Sequence, residues 1–181
     1  MSIYTKKGDK GTSTIINTKK DIPTRLPKSD QIFVTLGSLD ELNSYLGVII
    51  SSSENTPLNL FLTEIQVNLF TINSILAGAK IRFSSKKTKE LEKKIDTIDK
   101  IIPPLQNFIL PGGSQAASHL HFARTLARRV ERNVIRLQKL QPKKISPPIL
   151  TYLNRLSDTL FTLARFVNHS QGIKDILWKT H

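Results

Sequence analysis

One apolar series constrains the fold of this 181-residue chain more than any other feature of its sequence. Small and aliphatic side chains recur between residues 114 and 140 at alternating steps of four and three: Ala116, Leu120, Ala123, Ala127, Val130, Val134 and Leu137. That spacing aligns one side chain per turn on a single helix face, as in the seam of a helical bundle. We therefore predict a long helix from Ser114 to Leu140 that packs against other helices.

Four further segments have apolar residues at helical spacing. The first begins at Ser38, where Glu41 three residues later would complete a capping box. Two more helices are predicted over 57–77 and 87–102, and the last carries the apolar series 149–167. Five amphipathic helices with almost no strand signal predict an all-α fold, a five-helix bundle with an extended N-terminal loop segment.

The length of the chain favours a single domain, residues 1–181, with a substantial core. We divide it into an N-terminal loop segment (1–37), a helical bundle (38–170) and a C-terminal tail (171–181). The absence of cysteine excludes disulfides and a thiolate nucleophile. The sequence shows neither a signal peptide nor an apolar run long enough to span a bilayer, which predicts a cytoplasmic protein without a membrane partner.

Much of the positive charge is lysine scattered along the chain, but five arginines and one glutamate lie on the predicted long helix. Lys and Arg number 27 against 14 Asp and Glu, a net charge of +13 that favours anionic partners. Arg124, Arg128, Arg132 and Arg136 are four residues apart, so they stack along one face although like charges repel at this spacing. Glu131 could pair with Arg128. This face is either a basic surface ridge or part of a pocket for a small, highly charged ligand.

Three other segments could meet that face. The loop "TKKGDKGTST" combines glycines, which allow close backbone approach, with lysines that neutralise phosphate, although a flexible basic terminus has the same composition. Phe108 and Leu110 in "NFILPGG" would most simply plug the end of the bundle. Asn154, in an apolar helix, either bonds a neighbouring helix or contacts a ligand. His119, His121 and His169 lack a ligand-like cluster, so we interpret them as solvated or pair-forming, and the residues of any metal site stay unknown.

Together these segments resemble the ATP:cob(I)alamin adenosyltransferases of the trimeric, five-helix-bundle type. The matching stretches are "IYTKKGDKGTST", "LPKSD" followed by "GSLDELNSYLG", "FILPGGSQAASHLHFARTLARRVER" and "YLNRLSDTLFTLARFVN". The resemblance implies transfer of the 5′-deoxyadenosyl group of ATP to the cobalt of cob(I)alamin or a related Co(I) corrinoid, with Mg²⁺ on the phosphates. It also implies a homotrimer with active sites between subunits, and leaves open a corrinoid reductase and an adenosylcobalamin-dependent enzyme as further partners.

The resemblance also implies roles for individual residues. The ATP contacts would be Thr5, Lys6, Lys7, Gly8, Ser13, Thr14 and Lys28 of one chain, completed by Arg128, Arg129, Glu131, Arg132 and Asn154. Asp40 would pair with Arg124 across the interface, and these two with Arg128 and Arg132 form the predicted catalytic set. Phe108 would face the lower side of the corrinoid.

The chemistry of the residues agrees with this reaction. Co(I) is itself a strong nucleophile, so the chain needs only to position C5′ and stabilise a triphosphate leaving group, for which arginine is suited. A basic nucleic-acid-binding protein is the main rival, but it predicts aromatics interleaved with the basic residues, and none occur in "ARTLARRVERNVIR". A non-catalytic corrinoid carrier of the same fold is the other alternative, although a carrier would not need the triphosphate contacts.

Overall fold

The computed structural model describes residues 3–17, 22–142 and 145–179. Its elements in chain order are β1 (Thr12–Asn17), β2 (Ile22–Pro27), α1 (Gln31–Ser51), α2 (Thr56–Ala77), α3 (Lys86–Asp99), α4 (Gln115–Leu140) and α5 (Pro147–Ser170). The predicted five-helix bundle is confirmed. Helix α4 packs against α1 and α5, α1 also against α2, and α3 against α5.

The apolar stripes form the core of the bundle. The side chains of Leu120, Ala123, Ala127 and Val130 on α4 are completely buried, as the alternating spacing predicts. Helix α2 is the one described helix whose length and apolar composition would also suffice to cross a membrane. Seven of its residues are buried inside the bundle, and a core helix meets the same criterion.

Helix α1 begins earlier than predicted. Its N-cap is Asp30, whose Oδ1 accepts a hydrogen bond from the backbone N–H of Ile32 at 2.9 Å. Ser38 lies inside the helix and donates its hydroxyl to the carbonyl of Thr35. The predicted capping box at Ser38, and with it the boundary between 37 and 38, is therefore wrong. The buried but polar Thr35 interrupts the apolar series and concealed the first two turns.

The N-terminal segment contains an antiparallel hairpin in addition to loop. Strands β1 and β2 pair with Thr12 opposite Pro27 and Thr14 opposite Arg25. In the sequence, Pro23 and Pro27 favour a loop over a strand. Both strands of a two-stranded sheet are edges, however, so a proline can take a position whose missing N–H would not pair.

The remaining helix boundaries are close to the predictions. Asn55 caps α2 and Pro57 lies in its first turn, while Ser114 caps α4 by accepting from Ala117 N at 3.2 Å. Helix α3 ends at Asp99, three residues before the predicted end, ahead of Pro103. Pro103 disfavours a helical conformation for Ile102, the predicted last residue of this helix.

Gly78 lies where the hairpin contacts the bundle, and a substitution there tests the fold. It ends α2 at a φ of 115°, and a Cβ added there would lie 2.5 Å from the carbonyl oxygen of Ile16 in β1. We expect Gly78→Ala to lower the free energy of unfolding by roughly 1–3 kcal/mol, because strain and overlap add. Urea denaturation followed by circular dichroism measures it.

Gly37 supplies the matched control for that substitution. It lies within α1, and a Cβ at its position would meet nothing within 4 Å. Gly37→Ala should therefore raise the free energy of unfolding by about 0.5–1 kcal/mol. Equal effects of the two alanines would contradict the contact between Gly78 and Ile16.

Candidate functional site

The arginine face of α4 is present as predicted. Arg128 and Arg132 are exposed, and Arg124 one turn earlier is half-buried. Among the described residues the Nε of Arg124 is buried without a hydrogen-bond partner. Burial lowers the pKa of Arg124, and the neighbouring charge of Arg128 lowers this pKa further. A buried donor without a partner beside a second cation favours an anionic acceptor at this face.

Glu131 on α4 and Asn154 on α5, two of the predicted ATP contacts, lie next to each other. The Nδ2 of Asn154 donates to Glu131 Oε1 at 2.8 Å. Glu131 is thereby held by α5, and within the described part of the chain it makes no ion pair with Arg128, so that predicted local pair is wrong. Of the two alternatives for Asn154, the structure shows the bond to a neighbouring helix, although its side chain is exposed.

Arg129 points toward α1. It forms an ion pair with Glu41, joined at 2.5 Å, with both side chains about half exposed. Such a surface pair contributes at most about 1 kcal/mol, so it orients Arg129 more than it stabilises the fold. Asp40, the residue before Glu41, is exposed, and across the described residues it makes no ion pair with Arg124 of the same chain.

The N-terminal loop gathers its lysines around two tight turns. Lys6 has a φ of 58°, in the left-handed region that non-glycine residues rarely adopt, and Gly11 follows at 72°. The Nζ of Lys28 lies close to Gly8, 3.4 Å from where a Cβ on that glycine would stand. Thr5 and Lys7 are exposed beside them. Strained backbone held beside several cations is typical of a ligand-binding loop.

Arg25 is a residue that the sequence did not single out. Its guanidinium donates to Thr12 Oγ1 at 2.5 Å, to the carbonyl of Lys7 in a short contact, and to Thr14 Oγ1 at 3.4 Å. It therefore closes the loop onto β1. The signal for it is the strand register, which places Arg25 opposite Thr14. Strand alternation turns Ser13 to the other face, so the two predicted hydroxyls lie on opposite sides of the hairpin.

The two basic groups do not meet within one chain. Between the N-terminal loop with its hairpin and the arginines of α4, the described residues form no hydrogen bond or ion pair. The loop with its hairpin offers lysine ammonium groups and backbone donors, and α4 offers guanidinium groups.

Phe108 lies at the surface. Its side chain is 78% exposed, and that of Leu110 is 49% exposed, so the prediction that they plug the bundle is wrong. Phe108 meets Trp178 of the tail edge to face, with ring centroids 6.4 Å apart. Trp178, itself half exposed, was missed because only the folded backbone brings the tail beside this loop. We call this exposed edge-to-face pair the aromatic platform.

The histidines fall into different classes. His119 Nδ1 lies 2.6 Å from the hydroxyl of Tyr45, and His169 is exposed, as predicted. His121 contradicts the prediction, because it is buried on α4 and neither ring nitrogen has a partner among the described residues. The residues that the structure describes contain no group of three or more His, Asp or Glu that could hold a metal ion.

His121 makes the stability of the fold depend on pH. Burial lowers the pKa of His121 and Arg124 lowers it further, while Asp175 opposes the shift. The unfolded chain then binds the proton first as the pH falls below about 6.5, so stability declines toward acid by up to about 1.4 kcal/mol per pH unit. We expect His121→Phe to flatten this slope, measured as the free energy of unfolding between pH 5 and 8. His169→Gln, which removes an exposed histidine, is the control, and an unchanged slope in His121→Phe would contradict the assignment.

In comparison with known proteins, the chain matches a protein-family model. The model for cobalamin adenosyltransferase matches residues 3–167. The corrinoid adenosyltransferase of Bacillus subtilis is 40% identical over 97% of this chain and 91% of its own length. The human corrinoid adenosyltransferase MMAB is 36% identical over 97% of this chain and 72% of its own length.

Solved structures match over almost the whole chain. A variant of a PduO-type ATP:corrinoid adenosyltransferase from Lactobacillus reuteri, complexed with cobalamin and ATP, superposes with a TM-score of 0.91 at 37% identity. The match covers 99% of this chain and 100% of that one. Another variant of the same kind of enzyme, complexed with ATP, gives a TM-score of 0.89 at 38% identity.

Proposed function

This chain belongs to the cobalamin adenosyltransferase family, and we propose that it transfers the 5′-deoxyadenosyl group of ATP to the cobalt of a Co(I) corrinoid such as cob(I)alamin. The observation that carries the proposal is the arginine face, where exposed Arg128 and Arg132 follow Arg124, whose buried Nε has no hydrogen-bond partner among the described residues. A triphosphate is an acceptor of the charge and shape that such a row of guanidinium groups binds. Solved relatives are complexed with the two reactants, cobalamin and ATP.

In this reaction the bonds form and break on the two substrates, so the protein needs to supply little covalent chemistry. The Co(I) lone pair attacks C5′, the Co–C bond forms, and the C5′–O bond breaks with its electron pair leaving on triphosphate. The protein must hold the two reactants in line and stabilise the charge that develops on the leaving oxygens. We assign this stabilisation to Arg128 and Arg132, with Arg124 as their support.

The nucleotide would be enclosed by the N-terminal loop. Lys6, Lys7 and Lys28 supply charge, and Gly8 allows the backbone to approach the phosphates closely. Ser13 and Thr14 would contribute on opposite faces of the hairpin, with Thr14 already engaged by Arg25. Glu131 and Asn154, bonded to each other, would meet ATP from the helical side with Arg129 beside them.

Phe108 is proposed to lie against the lower face of the corrinoid. An apolar ring at that face keeps a lower axial ligand off the cobalt, and a four-coordinate cobalt is easier to reduce to Co(I). The exposure of Phe108 supports this role, because a 78% exposed phenylalanine contributes little to its own fold.

Two partial sites in one chain support an assembly in which neighbouring subunits complete each other. We propose a homotrimer, in which the loop of one chain closes over ATP against α4 of the next. Exposed Asp40 would then offer the carboxylate that Arg124 lacks. Sedimentation equilibrium should give three times the 20.4 kDa chain mass, and a monomer would contradict the shared site.

Mg²⁺ would be held mainly by ATP. The described residues build no site of their own for a metal ion, so the phosphate oxygens would provide most ligands. When bound there, the ion would add positive charge to the triphosphate. We propose the cytoplasm, where ATP is available, as the place of action.

A direct assay tests the proposed function. Purified protein is mixed with ATP, Mg²⁺ and chemically reduced cob(I)alamin, and the light-sensitive Co–C product is followed by visible absorption. Product that depends on both ATP and reduction would establish the transfer. Tight corrinoid binding without product would favour a carrier, and a chain that binds neither reactant would refute the proposal.

A further inference from the structure

The C-terminal tail holds the loop that carries Phe108. Leu110 N donates to the carbonyl of Ile176, and Trp178 N donates to that of Phe108, both at 2.8 Å. Residues 108–110 and 176–178 thus form a short antiparallel ribbon. Among the described residues, the loop 103–111 makes no backbone–backbone hydrogen bonds other than these two. The orientation of Phe108 therefore depends on the tail.

Arg165 on α5 ties both halves of this arrangement to the bundle. Its Nε donates to Asp175 Oδ2 in the tail, and its Nη2 donates to the carbonyl of Pro103 in the loop, each at 2.8 Å. The Arg165 and Asp175 side chains are only 9% and 18% exposed. Because the guanidinium is buried and the carboxylate is largely buried, removal of either partner would leave a charge without its compensating partner.

The ribbon has little packing behind it. A cavity of about 470 Å³ lies next to Ile109 and Leu177 and is also lined by Arg165 and Asp175. Side chains alternate across an extended strand, so Phe108 lies on the opposite face from Ile109. With a cavity in place of close-packed side chains, the ion pair and the backbone bonds are what fix the ribbon.

We propose that Arg165 and Asp175 are positioning residues for the corrinoid, acting through the ribbon on Phe108 and Trp178. The inference rests on the proposed function, in which Phe108 faces the corrinoid. Neither charged side chain touches the reactants. Their role is to keep the aromatic platform at the height and angle that a flat ligand needs.

Two conservative variants test this role. Asp175→Asn keeps an acceptor for Arg165 but removes the charge, and Arg165→Lys keeps the charge but cannot hold loop and tail together. We expect KM for the corrinoid to rise about tenfold to a hundredfold, since small misplacements near reactants have effects of this size. KM for ATP should be unchanged. Glu90→Gln, which breaks the exposed Lys87–Glu90 pair, is the control.

A second measurement needs no ligand. Trp178 is the single tryptophan of the chain, so its fluorescence reports on the ribbon directly. Both variants should shift its emission to longer wavelength and increase its quenching by acrylamide. If wild-type protein fails to transfer the adenosyl group, the proposed function is lost, while this emission still decides whether the ion pair holds the ribbon.

A cross-link separates positioning from other roles. Ile109 and Leu177 form a non-hydrogen-bonded antiparallel pair, whose Cα atoms stand about 4.5 Å apart, within disulfide range. The chain has no cysteine, so Ile109→Cys with Leu177→Cys gives one defined disulfide. When oxidised, it should restore the corrinoid KM of Asp175→Asn, and when reduced it should not.

Two results would overturn the proposal. One is wild-type Trp178 emission and corrinoid KM in both single variants, and the other is a corrinoid KM that the disulfide leaves raised. Where Asp175→Asn fails to fold, Arg165→Lys with and without the disulfide makes the same comparison.

Discussion

Arg128→Ala is expected to lower kcat for adenosyl transfer by about a hundredfold to a thousandfold, the effect of removing one donor that stabilises developing charge. Arg128 is exposed on α4 and makes no hydrogen bond among the described residues, so its loss should leave the free energy of unfolding nearly unchanged. Arg128→Lys keeps the charge but not the planar fork, and an intermediate rate is expected. The rates are measured from the absorbance of the Co–C product at saturating ATP.

Arg136 provides the control on the same face. It is exposed, two helical turns further along α4, and plays no part in the proposed site. Arg136→Ala should therefore retain near wild-type kcat. If both alanines reduced the rate equally, the helix would act through its general positive field, and the loss would then diminish at high salt.

Phe108→Ala has the second large effect that we expect, and it depends on how the cobalt is supplied. With cob(II)alamin and a reductant, the rate should fall by roughly a hundredfold, equivalent to about 2.7 kcal/mol in the barrier. With chemically prepared cob(I)alamin the loss should be much smaller, because the lower axial ligand no longer has to be kept away. Both rates are followed by visible absorption.

Stability measurements accompany that experiment. Since the Phe108 side chain is 78% exposed, its truncation should change the free energy of unfolding by no more than about 0.5 kcal/mol. Phe70, 64% exposed on α2, is the matched aromatic, and Phe70→Ala should leave the rate from cob(II)alamin unchanged. Equal loss from cob(I)alamin and cob(II)alamin in Phe108→Ala would argue against a role at the lower face.

The helices could be predicted because their signals are local. The stripe on α4 and the starts of α2 and α4, predicted near residues 57 and 114, depend only on residues within a few turns, and the structure confirms them. The start of α1 was missed because a polar residue, Thr35, occupies a core position and satisfies its hydroxyl by bonding to Gln31 O at 2.7 Å. Its burial is decided by the packing of α4 against α1, which no local pattern contains.

The residues of the candidate site also divide into those that the sequence identifies and those that only packing brings together. Resemblance to a family identified the residues of the N-terminal loop and of α4, and their roles stay predictions. The pairing of Glu131 with Asn154 across 23 positions, and of Arg25 with Lys7 across 18, appears only when helices and strands are packed. Glu41 is an example. Its position in the sequence predicts a capping residue, whereas in the structure it forms an ion pair with Arg129.

The ribbon between the loop and the tail also sets an order of events during synthesis. The backbone partner of Phe108 is Trp178, 70 positions later, so a growing chain cannot fix the aromatic platform while α4 and α5 are emerging. At about 5–20 residues per second, roughly 4–14 s pass between the addition of the two residues. A nascent bundle with buried stripes already in place would therefore still lack a formed corrinoid face. On the proposed role of Phe108, the corrinoid face can form only after Trp178 has been synthesised and released from the ribosome.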